Sequence, residues 1–500
     1  MLKNLRELVE PLGIGSAEIA PVPISALSAD SRTVVPGTLF IAIRGTVSDG
    51  HEYIAAALEK GAAAVVFQRP ECAAAIPANV PAFQVPDSRR AAALLADRFW
   101  DHPSGQMTLI ATSGTNGKTT VVHLLESIFG AAGHRAGMIG TLGHRVGGAT
   151  VAANRTTPDA LELQALLADM LEQGLTHVAM ELSSHAIDLD RAWGCSFAGA
   201  IFTNLSPEHL DWHGDLETYR RSKTRLFTDY ADLARRDREM VAAINLDDEA
   251  GRQIAAEARC RVLGYGLSPS AQVRAERVER TASGSSFDLV TPDYEVPVKL
   301  QLVGPYNVAN ALAAAACAYG LGLDHTAIVA GLGSLQCVPG RLEKVDRGQP
   351  FAVLVDYAHT GEALANVLRA ARELKPSRLL CVFGCGGDRD RTKRPVMGRV
   401  ATELADLAII TADNSRSERT LDIIAQIKQG AVGDRYRVEP DREQAIRLAL
   451  EQAQPGDIVL LCGKGHEDYQ ELENGRRIHF DDREVAAQIL DELAARGAGG

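Results

Sequence analysis

Short apolar runs recur along the chain, and helix-patterned or polar segments separate them. A short apolar run with turn residues at both ends is typical of a buried strand, whereas apolar residues at every third or fourth position predict a helix. The strands predicted in this way cover residues 39–43, 62–67, 107–111, 176–180, 197–202, 352–355, 379–383, 407–410 and 458–461. Helical patterns lie between them, so the sequence predicts an α/β fold with mainly parallel sheets.

Two polar segments divide this series into three predicted domains. A single hydrophobic core rarely extends over a chain of 500 residues. Asp87-Ser88-Arg89-Arg90 leads into a predicted helix at residues 91–99, and residues 339–343 introduce the last strand–helix series, which predicts a doubly wound unit. We therefore predict domains over residues 1–88, 89–338 and 339–500.

A glycine-rich turn connects the strand at residues 107–111 to a predicted helix at residues 121–129. This turn reads Gly114-Thr115-Asn116-Gly117-Lys118-Thr119-Thr120. In a strand–turn–helix unit, backbone N–H groups and the helix dipole point at a phosphate, the Lys adds a charge and a Thr hydroxyl reaches Mg²⁺. The general pattern has a further Gly where Thr112 stands, so an ordinary turn is the alternative. We predict that this turn binds the phosphates of a nucleoside triphosphate.

Polar residues that follow later strands are candidates for a metal site. Glu181 ends the strand at residues 176–180, and a carboxylate near a phosphate loop suits Mg²⁺. His209 follows the strand at residues 197–202, but a lone histidine is more often structural. The next predicted helix carries four cations, which by residue type predict a solvated face: Arg220, Arg221, Lys223 and Arg225.

The strands of the last series each end in a polar loop. These loops are Asp356-Tyr357-Ala358-His359, residues 384–391, Asp413-Asn414-Ser415-Arg416 and Gly463-Lys464-Gly465-His466-Glu467. Because the carboxyl ends of parallel strands meet at one edge of a sheet, we expect these four loops to lie together and bind a ligand.

Composition and charge narrow the class of protein. Hydrophobic residues make up 46% of the chain and charged residues 23%, as in ordinary globular proteins. A net charge of −12 argues against general affinity for nucleic acids or membranes. The eight cysteines form no CxxC pair, which favours reduced thiols in the cytoplasm. No apolar run is long enough for a membrane span, and the first residues lack the apolar stretch of a signal peptide.

Six motifs, in this order, resemble those of the Mur ligases of peptidoglycan synthesis, which are ATP-dependent enzymes that form amide bonds. The motifs are residues 114–119, 180–185, 204–214, 304–310, 339–343 and 356–359. The resemblance implies an N-terminal UDP-binding α/β domain, a central ATP-binding domain with a mostly parallel sheet, and a C-terminal Rossmann-like domain. Thr112 fits the phosphate loop of this family.

Four further segments resemble the members of this family that add the third residue of the stem peptide. They are Thr156-Thr157-Pro158 and residues 383–395, 413–416 and 463–470. The resemblance implies ATP and Mg²⁺ as cofactors, UDP-N-acetylmuramoyl-L-alanyl-D-glutamate as acceptor and meso-diaminopimelate as the incoming amine. The reaction then passes through an acyl phosphate. We expect a monomer that acts on small molecules in the cytoplasm.

The resemblance also implies a role for individual residues. Catalytic roles fall on Lys118, Glu181, His209 and Lys223, and the last of these carries a carbamate formed from CO₂. Mg²⁺ ligands are Thr119, Glu181, His209 and the Lys223 carbamate. Contacts to ATP come from residues 114–120 and, after domain closure, from Asn307, Arg341 and Asp356. Contacts to the UDP substrate come from Ser31, Thr156, Thr157, Ser183 and Arg191, whereas Leu189 replaces a Gln of some relatives. Contacts to diaminopimelate come from Arg389, Asp413, Asn414, Ser415, Arg416, Gly463 and Glu467.

The choice of amino acid depends on the segment around Arg416. Diaminopimelate-adding relatives read Asp-Asn-Pro-Arg, and here Ser415 replaces the Pro, which predicts a looser loop backbone. An Arg binds the distal carboxylate of diaminopimelate with two hydrogen bonds but repels the terminal ammonium of lysine.

Three alternatives remain: a lysine-adding ligase, a folylpolyglutamate synthetase, and an ATP-binding regulatory protein that has lost catalysis. Arg416 argues against the first, and residues 383–390 and 463–470 argue against the second. The third is disfavoured because Lys118, Glu181, His209 and Lys223 are all present.

Overall fold

The computed structural model describes residues 2–13, 21–46, 48–234, 239–281 and 283–498. The chain forms two compact units. Unit 1 comprises Met1–Arg274 and Leu312–Gly331, and unit 2 comprises Ala275–Ala311 and Leu332–Gly500. Among the described residues, no helix has the length and apolar character needed to cross a membrane.

The N-terminal part of unit 1 is built around a four-stranded parallel sheet with the order β3-β4-β5-β6. Its elements are β1 (Lys3–Asn4), α1 (Leu5–Val9), β2 (Pro23–Ile24), β3 (Ala26–Ser28), β4 (Thr38–Ile41), α2 (Ile54–Glu59), β5 (Ala62–Phe67), β6 (Ala82–Gln84) and α3 (Ser88–Phe99). Successive residues of β4 point to opposite faces: Leu39 and Ile41 pack with α1 and α3, whereas Phe40 packs with α2. Burial of both faces explains why β4 and β5 appear in the sequence as continuous apolar runs.

The rest of unit 1 contains a larger sheet. Its elements are β7 (Thr108–Ser113), α4 (Lys118–Ala131), β8 (Ala136–Gly140), β9 (Gly143–Val146), β10 (Ala149–Val151), α5 (Ala160–Glu172), β11 (His177–Glu181), α6 (Ser184–Asp188), β12 (Gly199–Phe202), α7 (Leu210–His213), α8 (Leu216–Thr224), α9 (Asp229–Ala234), β13 (Val241–Asn245), α10 (Glu249–Glu257) and β14 (Arg261–Gly266). The strand order is β10-β9-β8-β11-β7-β12-β13-β14. β7 lies between β11 and β12 and is parallel to both, so the polar residues that follow these three strands meet at one edge.

Three elements contain a boundary between the units: β15 (Val273–Thr281), α11 (Tyr306–Gly320) and α12 (His325–Ser334). Unit 2 then contains an antiparallel hairpin and a six-stranded sheet. Its elements are β16 (Gly284–Val290), β17 (Glu295–Leu300), β18 (Glu343–Lys344), β19 (Ala352–Asp356), α13 (Gly361–Glu373), β20 (Leu379–Phe383), α14 (Lys393–Leu404), β21 (Leu407–Ile410), α15 (Thr420–Lys428), β22 (Tyr436–Val438), α16 (Arg442–Gln452), β23 (Ile458–Cys462), β24 (Tyr469–Glu471), β25 (Arg477–His479) and α17 (Asp482–Ala498).

The six-stranded sheet of unit 2 has the order β18-β19-β23-β20-β21-β22, and all its strands except β18 are parallel. Its strands alternate between two cores: Leu354 and Leu460 face one, and Val353 and Val459 face the other. The predicted α/β fold with mainly parallel sheets is confirmed. The proposed boundaries at residues 88 and 338 stay predictions.

A buried ion pair links the two helices that flank β23 in the sequence. Arg442, at the start of α16, donates from Nε and Nη2 to the carboxylate of Asp482 in α17, over 2.7 and 2.6 Å. Arg442 also donates to the carbonyls of Ala412 and Cys462 over 3.1 and 3.0 Å. Both partners of the ion pair are buried. The guanidinium therefore holds the segments that follow β21 and β23 next to each other.

We predict that Arg442→Leu lowers the free energy of unfolding by about 3–5 kcal/mol, because it leaves the Asp482 carboxylate buried without a counter-charge. The double variant Arg442→Leu/Asp482→Leu should lose less, since no buried charge remains. Urea unfolding followed by fluorescence measures the free energy of unfolding of the single and the double variant. Arg437→Leu, at an exposed position of β22, is the control. A single variant as stable as the wild type would contradict the prediction.

Candidate active site

The phosphate loop connects β7 to α4, as predicted. Gly114 has a φ of +141° and Gly117 a φ of +89°, values that L side chains rarely adopt. A Cβ on Gly114 would lie 1.9 Å from Thr203 Oγ1. Thr112 pairs with Glu181 as a residue of β7. The turn therefore begins only after Ser113, which explains why the general pattern's earlier Gly is not needed here.

Lys118, the first residue of α4, lies back over this loop. Its Nζ donates to the carbonyls of Gly114 and Thr115 over 2.9 and 2.8 Å. The ammonium is therefore already held at the concave side of the loop, where a bound phosphate group requires a positive charge.

The segment after β12 braces the phosphate loop, which the sequence analysis did not predict. Asn204 accepts the Asn116 N–H at Oδ1 over 3.0 Å and returns a bond from Nδ2 to the Asn116 carbonyl over 3.1 Å. Thr203 Oγ1 donates to the same carbonyl over 2.6 Å. The signal in the sequence was a polar pair directly after a buried strand that is parallel to β7.

Glu181 lies at the end of β11 and is buried beside the phosphate loop. Its Oε1 accepts the hydroxyl of Thr119 over 3.0 Å and the N–H of Thr141 over 2.8 Å. A Cβ on Gly140 would lie 2.5 Å from the same oxygen, so the close approach of β8 requires glycine there. A hydroxyl and a carboxylate held side by side are oxygen donors of the kind that Mg²⁺ prefers. The residues present therefore fit the predicted Mg²⁺ site.

The described part of the chain has no group of three or more His, Cys, Asp or Glu residues that could hold a metal ion. The predicted ligands Thr119, Glu181, His209 and the Lys223 carbamate contain only two residues of these types, so this set is not such a group.

Lys223 is buried, with 1% of its surface exposed, although residue type predicted a solvated helix face. That prediction was wrong for α8, where Arg221 is exposed but Tyr219 and Lys223 face inward. The Nζ lies 4.5 Å from the centre of the Tyr219 ring. Burial, together with the charge of Lys118, holds the pKa of Lys223 well below its ordinary value. Both effects favour the neutral form of the amine.

Tyr219 connects this lysine to the phosphate loop. Its hydroxyl lies 3.3 Å from Thr115 Oγ1, and its ring centre lies 6.2 Å from that of His209. The half-exposed His209 precedes α7, and its ring also lies 4.9 Å from the ring of His185. Lys223 and His209, two of the predicted catalytic residues, thus lie beside an aromatic residue that sequence reasoning missed.

A cavity of about 820 Å³ lies in the N-terminal part of unit 1 and extends to α5 and α6. Four arginines line it: Arg32, Arg89, Arg155 and Arg191. Of the predicted substrate contacts, Ser31 and Arg191 line this cavity, and so does Leu189. Arg89 and Arg155 were not predicted, although Arg89 lies in the polar segment at residues 87–90 and Arg155 directly precedes Thr156-Thr157-Pro158.

Thr157 lies beside this cavity rather than in its wall. Its buried hydroxyl donates to the Glu181 carbonyl over 2.8 Å and accepts the Ser183 N–H over 3.2 Å. Arg191 Nη1 donates to the Thr157 carbonyl over 3.0 Å. Thr157 therefore connects the loop before α5 to the end of β11, where Glu181 is held.

The four polar loops of unit 2 lie together, as predicted. The Gly387 N–H donates to the Asn414 carbonyl over 2.8 Å, and Arg416 Nη1 donates to the Gly387 carbonyl over 2.8 Å. Asn414 Nδ2 donates to Glu467 Oε2 over 2.9 Å. A Cβ on Gly463 would lie 2.8 Å from Asp413 Oδ2, so only glycine fits at this position. We call Asn414, Arg416, Lys464 and Glu467 the charged loop cluster.

The remaining predicted residues of unit 2 differ in exposure. Arg389 is exposed and donates to the carbonyl of Asp388. Asp413 is buried; burial acts to raise its pKa, but Arg442 and Lys464 hold the value below its ordinary range. Ser415 is buried, and its hydroxyl lies 2.7 Å from Thr420 Oγ1. A side-chain hydrogen bond thus restrains the loop at position 415, where diaminopimelate-adding relatives have Pro.

Asp356, Arg341 and Asn307 are also part of unit 2. The Asp356 carboxylate accepts the N–H groups of Leu342 and Ala358, each over 2.9 Å, and burial raises its pKa. Arg341 lies 5.7 Å from the centre of the Tyr357 ring. Asn307 donates to the Val303 carbonyl over 2.7 Å.

Three family models match the chain. They describe the Mur ligase family catalytic domain over residues 23–100, the Mur ligase middle domain over residues 112–318, and the Mur ligase glutamate ligase domain over residues 340–465.

Several full-length relatives carry the name UDP-N-acetylmuramoyl-L-alanyl-D-glutamate–2,6-diaminopimelate ligase. The protein of that name from Geobacter metallireducens is 42% identical, with 100% of both chains covered. The one from Solibacter usitatus is 44% identical, with 97% of this chain and 98% of the relative covered. A solved structure of a ligase with this name has a TM-score of 0.75 at 34% identity, and covers 99% of this chain and 100% of its own.

We predict that Thr157→Val lowers the free energy of unfolding by about 1–3 kcal/mol, because it leaves the Ser183 N–H and the Glu181 carbonyl buried without their partner. Thr157→Ser keeps the hydroxyl and serves as the control. Thermal unfolding measures both variants. A Val variant as stable as the wild type, or one that loses no more than the Ser variant, would contradict the prediction.

Proposed function

The chain belongs to the Mur ligase family and is an ATP-dependent ligase, and we propose that it joins meso-2,6-diaminopimelate to UDP-N-acetylmuramoyl-L-alanyl-D-glutamate in peptidoglycan synthesis. The observation that carries this choice of amino acid is the charged loop cluster. It places an Arg and a Glu near each other at one edge of the unit 2 sheet.

The proposed chemistry has two steps. The free carboxylate of the D-glutamyl residue attacks the γ-phosphorus of ATP, the bond to the bridging oxygen breaks, and ADP leaves. The amine of diaminopimelate then attacks the acyl carbon, the bond from that carbon to the phosphate oxygen breaks, and phosphate leaves as the nitrogen releases a proton. An amide, ADP and phosphate result.

The phosphate loop supports the first step by stabilising charge. Its N–H groups and Lys118 surround the β- and γ-phosphates, and Lys118 exchanges its two carbonyl partners for phosphate oxygens. Thr119 and Glu181, with His209 and modified Lys223, would hold Mg²⁺. Bound there, Mg²⁺ neutralises charge on the transferred phosphoryl group.

The cavity in unit 1 suits the nucleotide part of the acceptor. A diphosphate carries negative charge, and four arginines line this space together with the hydroxyls of Ser31 and Thr33. Asp159 lies 2.9 Å from Arg191 Nε and orients that guanidinium.

The charged loop cluster suits the distal end of diaminopimelate, which carries a carboxylate and an ammonium. Arg416 supplies the donor for the carboxylate, and Glu467 supplies the acceptor for the ammonium. Lysine has the ammonium alone, and Arg416 would repel it. The contacts of Asn307, Arg341 and Asp356 with ATP, the monomeric state and the cytoplasmic location stay predictions.

We expect ADP release only when the UDP-linked dipeptide and meso-diaminopimelate are both present, with L-lysine turned over at least about 100-fold less efficiently, because a site built for a polar group strongly rejects an analogue that lacks it. A coupled assay for ADP measures this. The same assay on Arg416→Met tests whether the preference for diaminopimelate depends on Arg416, and Arg399→Met, on the surface of α14, is the matched control. Faster turnover of lysine would contradict the choice of amino acid. Formation of AMP would contradict the acyl phosphate.

The buried Lys223 amine suits carbamate formation. In this reaction the neutral nitrogen attacks the carbon of CO₂ and releases one proton. The carbamate that forms carries an anionic oxygen, which is a suitable metal ligand. We expect Lys223→Ala to lose at least about 99% of activity, since the anionic ligand is lost with the side chain. Acetate or formate should restore part of it.

Arg221→Ala, on the exposed face of the same helix, should keep full activity. In the wild type, ¹³C-labelled bicarbonate should give a carbamate signal that is absent from Lys223→Ala. Full activity of Lys223→Ala, or the same signal in both proteins, would refute the modification.

A further inference from the structure

The charged loop cluster contains a lysine that the sequence analysis did not assign. Lys464 follows β23 between two glycines, and 0% of its surface is exposed. Its Nζ lies 3.2 Å from Glu467 Oε2 and 3.3 Å from Asn414 Oδ1. The aromatic ring of Tyr469 lies 5.4 Å away. A lysine at this depth is stabilised only if a carboxylate or another acceptor compensates its charge.

Lys464 fixes the orientation of the two side chains that it contacts. Asn414 Oδ1 accepts from Lys464 and from the N–H of Glu471, the latter over 2.9 Å. The amide nitrogen of Asn414 must therefore point the other way, and it donates to Glu467 Oε2 over 2.9 Å. Glu467 Oε2 thus receives two donors, so a ligand ammonium is accepted by Oε1.

Lys464 also changes the charge that a ligand meets. The Lys464–Glu467 pair is neutral as a whole. Arg416 Nε lies 3.5 Å from Glu471 Oε2, and a further donor of Arg416 points to the Gly387 carbonyl. The Asp413 carboxylate is next to Arg442 and Lys464, which already pair with Asp482 and Glu467, and Lys393 is a further cation that acts on it. A lone ammonium therefore meets no net negative charge, whereas an end group with both a carboxylate and an ammonium matches Arg416 and Glu467.

We propose that Lys464 is a positioning residue that determines specificity: it orients Asn414 and Glu467 and cancels the charge of Glu467, so that the site prefers a zwitterionic end group to a lone ammonium. This inference rests on the proposed function. Without Lys464, Glu467 presents an unbalanced negative charge, Asn414 Oδ1 keeps only the Glu471 N–H as a donor, and the preference shifts toward lysine.

The test is Lys464→Met, which keeps the length and apolar stem of the side chain but removes its charge. We expect the KM for meso-diaminopimelate to rise at least about tenfold, because a buried ion pair loses one partner. The KM values for ATP and the UDP-linked dipeptide should change by less than about twofold. The ratio of kcat/KM for diaminopimelate to that for L-lysine should fall at least about tenfold. Lys428→Met, at the exposed end of α15, is the control for loss of one charge.

A double-mutant cycle tests whether Lys464 acts through Glu467. In a Glu467→Gln background, Lys464→Met should no longer raise the KM for diaminopimelate, because the carboxylate that Lys464 orients and balances is already gone. Equal effects of Lys464→Met in both backgrounds would overturn the proposal. So would an unchanged preference between the two amino acids, or an equal loss for all three substrates.

Folding and function are separated by two further measurements. Melting temperatures identify variants that fail to fold, and Glu467→Gln alone tests the charge argument without altering the buried lysine. Lys464 is then unbalanced, so the preference for diaminopimelate should rise; an unchanged preference would overturn the proposal. If the wild type releases no ADP with diaminopimelate, the proposed function is wrong. If the wild type does release ADP but Lys464→Met has the same KM and the same preference as the wild type, only the inference about Lys464 is wrong.

Discussion

The site in unit 1 depends on the contact between Glu181 and the phosphate loop. The carboxylate lies next to Thr119 only because β11 and β7 are neighbours in register, so that Glu181 pairs with Thr112. Gly140 allows β8 to approach the same oxygen from the other side. The carboxylate is thereby held in a buried place by hydrogen bonds from Thr119 and Thr141, which is the condition for burying it at a tolerable cost. The parallel strands thus align Glu181 with the phosphate loop, and the residues that follow the strands carry the polar groups of the site.

Two buried lysines show how the surroundings decide what a side chain does. Lys464 has a carboxylate partner, and the pair acts as a fixed, neutral element of the structure. Lys223 has an aromatic ring beside it and Lys118 as a neighbouring cation, so burial and the charge of Lys118 lower its pKa and favour the neutral amine. The residue type is the same, but one lysine is balanced by a carboxylate and the other lies in surroundings that disfavour its charge.

Strands such as β5 and β20 were predicted from the sequence because burial on both faces makes them continuous apolar runs. The convergence of polar loops at the strand ends followed from parallel topology alone. Lys223 on α8 was misread, since which helix face is buried depends on packing against α6 and not on residue type. Tyr219 and Thr141 were missed for the same reason: their partners are distant in sequence, and only the folded chain brings them together.

The Arg442–Asp482 pair has a consequence for the order of events during synthesis. A ribosome releases the chain from the N-terminus, so the guanidinium emerges 40 residues before its counter-charge. Until then, the guanidinium that holds the segments after β21 and β23 together lacks its counter-charge. Unit 2 therefore acquires its loop arrangement only after α17 begins to emerge. Nascent chains that stop short of residue 482 are expected to contain the strands of this sheet but to remain dependent on chaperones.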